Sequence, residues 1–151
     1  MIGLLQRVSH ANVAVNEVNV GEIQRGLLVL VGIQRGDSET TAKRLLQRLL
    51  AYRVFADGDG RMNQSLTDIN GGLLLVPQFT LAADTRRGNR PGFATAAAPA
   101  LAEPLFEQLV LLAQSAHNYV QSGCFGADMQ VSLCNDGPVT FWLEVPPAEA
   151  N

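Results

Sequence analysis

The sequence predicts a compact single α/β domain, a mainly antiparallel sheet or barrel with two long helices packed on it. Three observations lead there. The chain has 151 residues, 47% of them hydrophobic and 17% charged, the makeup of one ordinary globular domain that can bury roughly 70% of its unfolded surface without disulfides or a structural metal. Short apolar runs with strand character gather towards the two ends of the chain. Between them, two longer stretches repeat their apolar residues at helical spacing.

The elements follow in order. Ile2 to Val8, Ala11 to Val15 and the apolar run Leu27 to Ile33 read as strands, punctuated by Gly21, Gly26, Gly32 and Gly36. A helix then opens with Asp37 or Ser38 as N-cap, with Ala42, Leu45, Leu46, Leu49 and Leu50 on one stripe and Lys43, Arg44, Gln47 and Arg48 opposite. Tyr52 to Ala56 reads as a short strand, Asp57-Gly58-Asp59-Gly60 as a turn, and Gly72 to Leu81 as a strand interrupted at Pro77. The DGDG stretch lacks the later glutamate of an EF-hand, which argues against calcium. A second helix is expected over Ala100 to Ala116, its apolar face drawn from Leu101, Leu105, Leu109 and Leu112 and widened by Val110 and Leu111. Pro104 should delay its start or bend it. Two strands, Met129 to Cys134 and Val139 to Val145, close the chain across an Asn135-Asp136-Gly137-Pro138 turn. The domain is expected to span residues 1–145, and 146–151 to form a frayed tail.

Charge and cysteine content exclude several classes. All eleven Lys and Arg lie at or before Arg90, and six acidic residues with no basic one follow. That balance offers no wide basic face for duplex nucleic acid. Arg86, Arg87 and Arg90 do crowd one Gly- and Pro-punctuated stretch, readable either as a solvated surface or as a small phosphate clamp. No apolar run reaches the ~20 residues of a membrane span, and Met1 to Arg7 lacks the layout of a signal peptide, so a cytoplasmic protein without membrane contact is expected. Cys124 and Cys134 form no CxxC and have no neighbouring His pair; two buried or half-buried free thiols are expected, with no metal and no cofactor.

Few side chains offer chemistry. His10 and His117 stand apart from any nucleophile motif, and no GxSxG, HExxH or P-loop occurs. An enzyme built from this chain would work by positioning and by backbone donors that stabilise developing charge. Two segments stand out. Gln78-Phe79-Thr80 puts two polar residues and an aromatic ring where an apolar strand should end, either a strand leaving the core or a reaction centre. Gly137-Pro138 stands between two strands, either a tight turn or something more specific.

The segments PQFTLAAD (Pro77 to Asp84) and NDGPVTFWLE (Asn135 to Glu144) resemble the two signatures of the D-aminoacyl-tRNA deacylases. Gln6-Arg7-Val8, Arg53-Val54-Phe55, Met62-Asn63, Arg90-Pro91-Gly92-Phe93 and Phe125-Gly126-Ala127-Asp128-Met129 match the family in order, so the resemblance covers Met1 to about Val145. It implies a homodimer that hydrolyses the ester joining a D-amino acid, or glycine, to the terminal adenosine of tRNA. The family's pattern makes the Gly137-Pro138 bond cis and sends it into the active site of the opposite subunit. There a rigid backbone would clash with an L side chain and spare glycine, a discrimination beyond the 1–3 kcal/mol that pocket contacts with a methyl-sized group supply. The resemblance also implies that the N–H groups of Phe79 and Thr80 face the substrate carbonyl. Gln78 and Thr80 would then orient the adenosine and the hydrolytic water, Arg7 would brace the Gly-Pro segment, and Met129 would contact substrate. Thr80 as nucleophile is the other route, but a threonine hydroxyl needs a base beside it, and neither motif carries His or Lys. A chain that kept the fold and only binds nucleic acid, or a metal-dependent hydrolase, are the competing classes. One departure is plain: the family usually has serine where this chain has Pro77.

Overall fold

In the computed structural model, which describes residues 1–147, one long strand organises everything else. β1 (Ile2–Val15) runs unbroken through Ser9 and His10, where the sequence predicts two strands. Along one edge it pairs antiparallel with β3 (Gly26–Gly32) through Ile2 to Val8 and with β2 (Val18–Ile23) through Ala11 to Val15. β2, unanticipated from the sequence, joins β1 through Asn16 and Glu17, both at positive φ, as a two-residue hairpin requires.

Along its other edge β1 pairs with β8 (Gln130–Glu144) for nearly its whole length. The predicted pair of closing strands is therefore one strand, and the Asn135-Asp136-Gly137-Pro138 segment is not a hairpin turn. Asn135 lies opposite Val8 and Thr140 opposite Gln6, so Asp136 to Val139 are pushed out of the ladder as a bulge. Both flanks alternate towards the same long partner, and that continuous edge outweighs the Gly-Pro turn signal.

The sheet continues from β3 to β6 (Gly72–Pro77) and β7 (Val120–Ser122), both parallel pairings, in the order β2-β1-β3-β6-β7. It curls until β2 approaches β7, where a Cβ on Gly21 would stand 3.0 Å from the Ser122 carbonyl oxygen, and the sheet is nearly closed. The predicted strand over Gly72 to Leu81 ends at Pro77, and a 3₁₀ turn (Phe79–Ala82) replaces its second half. The strand expected from Tyr52 shrinks to β4 (Phe55–Ala56), paired with β5 (Met62–Gln64), and a single helical turn, α2 (Leu66–Ile69), follows. The DGDG turn is held by Asp57, whose carboxylate accepts from Asp59 N–H at 2.9 Å, Arg61 N–H at 3.0 Å and Asn63 Nδ2 at 2.8 Å.

Two helices cover one face of the sheet. α1 (Glu39–Ala51) starts after Ser38 as expected and buries Ala42, Leu45, Leu46 and Leu49. α3 (Pro99–Ala116) begins at Pro99 and stays helical through Pro104, with no late start. The Ala100 carbonyl, which a proline four residues later cannot serve, belongs to an exposed residue where water reaches it. The buried stripe of α3 is Ala102, Phe106, Leu109 and Ala113; Leu101 and Leu111 are 70% and 63% exposed. In a helix apolar nearly all round, leucine spacing does not fix the phase. Packing does, and it turns the ring of Phe106 inward. Among the described residues no helix is long and apolar enough to cross a membrane.

The core has two parts. Leu5, Leu27, Val29, Val31, Leu73 and Leu75 meet the helices, while Val8, Val13, Ile23, Leu28, Leu74 and Val76 fill the inside of the curl. His117 is buried, its Nε2 2.6 Å from the Gly71 carbonyl oxygen. Both cysteines are free but exposed, contrary to expectation: Cys134 sits on the outward parity of β8 and Cys124 on the loop after β7. The predicted tail extends beyond the described residues from position 148 onwards.

Candidate active site

The parallel strands β3 and β6 end side by side, and a cavity of about 1020 Å³ opens at their carboxyl ends. Binding sites collect in such places because the chain turns away there and leaves backbone groups unpaired. Val31, Ile33, Val76 and Pro77 form its floor, Ala96 to Ala98 with Leu101 and Leu105 one wall, and Phe125 to Ala127 with Met129 another. Gln78 and Phe79 stand at its rim.

The local fold explains the rim. Gln78 still donates its N–H to the Val31 carbonyl at 2.8 Å, and the 3₁₀ turn then begins. Its internal bonds start with Leu81 N–H to Gln78 O and no side chain caps it, so the N–H groups of Phe79 and Thr80 have no partner among the described residues. Two adjacent unpaired donors can hold an oxyanion, each worth about 2.7–4 kcal/mol when aimed at developing charge. The Gln78 amide donates to the Thr80 hydroxyl, and Thr80 is exposed. No His or Lys is among its hydrogen-bond partners. Phe79, 57% exposed, packs against Phe93 with ring centroids 5.1 Å apart.

Pro77 costs the sheet nothing. The β6–β7 register stops at Leu75 opposite Ser122, with Gly123 N–H bonded to the Leu75 carbonyl at 2.9 Å, before any donor from residue 77 is needed.

Gly137, Pro138 and Arg7 form a second group. The Gly137–Pro138 peptide is cis, and both residues are exposed on the bulge of β8. Arg7 holds the bulge from beneath: Nε donates to the Asp136 carbonyl at 2.8 Å, and Nη1 to the Val54 carbonyl at 2.7 Å. Asn135 closes it, its side-chain oxygen accepting from Val139 N–H at 2.7 Å and its amide donating to Thr140 Oγ1 at 2.9 Å. None of these residues lines the cavity of the same chain. Gln78, Phe79 and Met129 are thus brought together around one cavity, with Thr80 beside them, and the Gly-Pro group stands apart. Sequence reasoning missed Asn135, which the asparagine heading NDGP could have signalled. It also missed the Val54 carbonyl, and a backbone acceptor leaves no trace in residue type.

The three arginines sit on an exposed loop closed by the paired backbones of Asp84 and Gly92. Arg86 is tied down, with Nε 2.9 Å and Nη2 2.8 Å from the Asp84 carboxylate. Those hydrogen bonds hold the Asp84 carboxyl well below the usual carboxylate range. Arg87 and Arg90 have no ion pair among the described residues. No group of three or more His, Cys, Asp or Glu among the described residues could hold a metal ion.

Comparison with known proteins matches this chain to one family. A family model described as D-Tyr-tRNA(Tyr) deacylase matches residues 4–144. The D-aminoacyl-tRNA deacylase of Thioalkalivibrio sulfidiphilus is 64% identical over 147 residues, 97% of this chain and 99% of that protein. Its counterpart in Herminiimonas arsenicoxydans is 62% identical over 148 residues, 98% of this chain and 99% of that protein. Among solved structures, a c-Myc DNA unwinding element binding protein is similar with a TM-score of 0.93 at 35% identity, covering 97% of this chain and 99% of its own. The chain belongs to the D-aminoacyl-tRNA deacylase family.

Proposed function

We propose that this protein proofreads chirality: it hydrolyses the ester between a D-amino acid, or mischarged glycine, and the terminal adenosine of tRNA, and spares L-aminoacyl esters. Family membership makes it a hydrolase of aminoacyl-tRNA esters. The observation that supports hydrolysis at this place is the pair of unpaired N–H groups of Phe79, at the rim of the cavity, and of Thr80 next to it in the chain.

Water attacks the ester carbonyl, and the two N–H groups receive the charge on the carbonyl oxygen. The C–O bond to the ribose then breaks, and the departing 3′-oxygen takes a proton relayed from the attacking water by the neighbouring 2′-hydroxyl. Gln78 and Thr80 orient adenosine and water, and no covalent intermediate forms on Thr80. The Gly137–Pro138 bulge of a second copy enters the cavity mouth and closes the side an L substituent would need. Its exposure, its bracing by Arg7 and its separation from the cavity of its own chain support a homodimer with the site at the interface. Residues 1–145 carry this unit, in the cytoplasm, with no metal or cofactor in the reaction. Arg87 and Arg90 hold phosphates near the 3′ end.

The test is deacylation of matched D- and L-tyrosyl-tRNA, with and without chelator, beside a Thr80→Ala variant. Loss of the D-ester alone, in both enzymes and in chelator, supports the reading. Abolition by Thr80→Ala overturns the non-covalent route, and inhibition by chelator revives a metal. Hydrolysis of neither ester favours a nucleic-acid-binding protein, a reading to which the likeness to a DNA unwinding element binding protein lends weight. Such a binder would lose affinity steeply with salt, whereas an enzyme gripping one terminal adenosine would not.

A further inference from the structure

Gly123 follows β7 directly, and its φ lies outside the left-handed region, so nothing in the backbone demands glycine there. The demand is steric and comes from one atom. A Cβ on residue 123 would stand 2.7 Å from Met129 Sδ, a separation real Cβ atoms do not tolerate. Its other neighbours, Pro77 Cδ at 3.5 Å and Val76 Cγ1 at 3.6 Å, would be in ordinary contact. The thioether of Met129 therefore rests in a notch that exists because residue 123 has no side chain.

Displaced from that notch, the half-buried Met129 side chain moves towards open space, and the cavity it lines offers that space. Behind Met129 lies the packed inside of the curl, where Val8, Val13 and Leu28 are fully buried and leave no room. In front lies the cavity, which Met129 lines together with Val76, Pro77 and Gln78. We propose that Gly123 is a positioning residue: by seating Met129 it keeps the inner part of the cavity wide enough for the nucleoside of the substrate. This rests on the cavity being the site of the ester's adenosine end. The cavity is largely apolar, with Phe93 and Phe125 among its lining residues, surfaces suited to a purine, whereas the reacting ester belongs at the rim with Phe79.

The adenosine is common to every substrate, so the effect does not depend on the acyl group. In Gly123→Ala, KM for D-tyrosyl- and glycyl-tRNA should rise together by roughly tenfold, as expected for overpacking of this kind, with kcat within about twofold of the parent. The Kd of a non-hydrolysable 3′-amide of D-tyrosyl-adenosine should rise in parallel. Adding Met129→Ala should return both to the level of Met129→Ala alone, and the near-parental kcat of Gly123→Ala shows that the single variant folds. Three results overturn the proposal: an unchanged KM and Kd, a loss confined to the bulky acyl group or to kcat, or no recovery in the double variant. Each is read against a parent enzyme that hydrolyses the D-ester; a parent that does not overturns the proposed function instead, and the Kd of the amide still reports on Gly123.

Discussion

Arg7 and Asp136 are joined by a 2.8 Å hydrogen bond from guanidinium to backbone carbonyl, across 129 residues of sequence. With its other arm on the Val54 carbonyl, Arg7 fixes the bulge of β8 to the loop ahead of β4. Arg7→Ala should lower stability by about 2–3 kcal/mol, because two carbonyls lose a charged donor. More tellingly, the ratio of D- to L-ester hydrolysis should fall by at least roughly tenfold, since a loosened wall discriminates less. Arg7→Lys should recover little, as a single ammonium cannot serve two diverging acceptors. Urea midpoints and matched D/L rates check both.

A buried ion pair stands beside the cavity. The Met1 ammonium stands 2.6 Å from Asp37 Oδ1, with both side chains inaccessible, and also donates to the Val145 carbonyl at 2.6 Å. Asp37→Asn leaves the ammonium without its counter-charge and should cost about 3–5 kcal/mol in denaturant unfolding. Because Asp37 also lines the cavity, KM should rise in the same variant.

The arginine loop should divide in two. Arg87→Ala with Arg90→Ala should weaken tRNA binding and flatten the dependence of log K on log salt by about 1.4, two contacts at roughly 0.7 each for a single strand. Arg86→Ala should change the slope little, because Asp84 already engages that guanidinium.

The same clip sets a pH expectation. Asp84 has its folded carboxyl pKa lowered, chiefly by the side chain of Arg86, so its contribution is present above the ordinary carboxylate value and is lost only as pH falls through the lowered one. Carboxyl chemical shifts should show no titration of Asp84 between about pH 3 and pH 5, where free aspartates titrate. In Arg86→Ala the carboxyl loses its strongest partner but keeps the N–H of residue 86, so its titration should move up towards that of free aspartates while staying below it.

Much of the fold was legible because periodicity and caps are local. Ser38, one of the two caps read for α1, does precede it, and the apolar run read from Leu27 is β3, which begins one residue earlier at Gly26. What could not be read was set by distant partners. β1 and β8 each look like two strands, because a glycine-proline step or a Ser-His pair in isolation ends a strand; only the opposite strand shows that pairing resumes. The phase of α3 failed for the same reason, since Leu101 and Phe106 compete and the surrounding core decides. At the site, Gln78, Phe79 and Thr80 could be named from PQFTLAAD, but that two N–H groups are left unpaired there follows from the 3₁₀ turn, and residue type does not record it.

Loops at hairpin tips can lengthen and shorten without disturbing what they connect. The Asp136 to Val139 bulge has no such freedom, because β8 must rejoin β1 at Thr140 opposite Gln6. One residue more or fewer would either be absorbed by reshaping the bulge or would pass down the strand. In the second case Phe141 and Leu143, which face the core, would exchange places with Thr140 and Trp142 on the far side. The segment's length is therefore tied to the packing of the domain, and insertions that a surface loop would accept here put the whole terminal strand at stake.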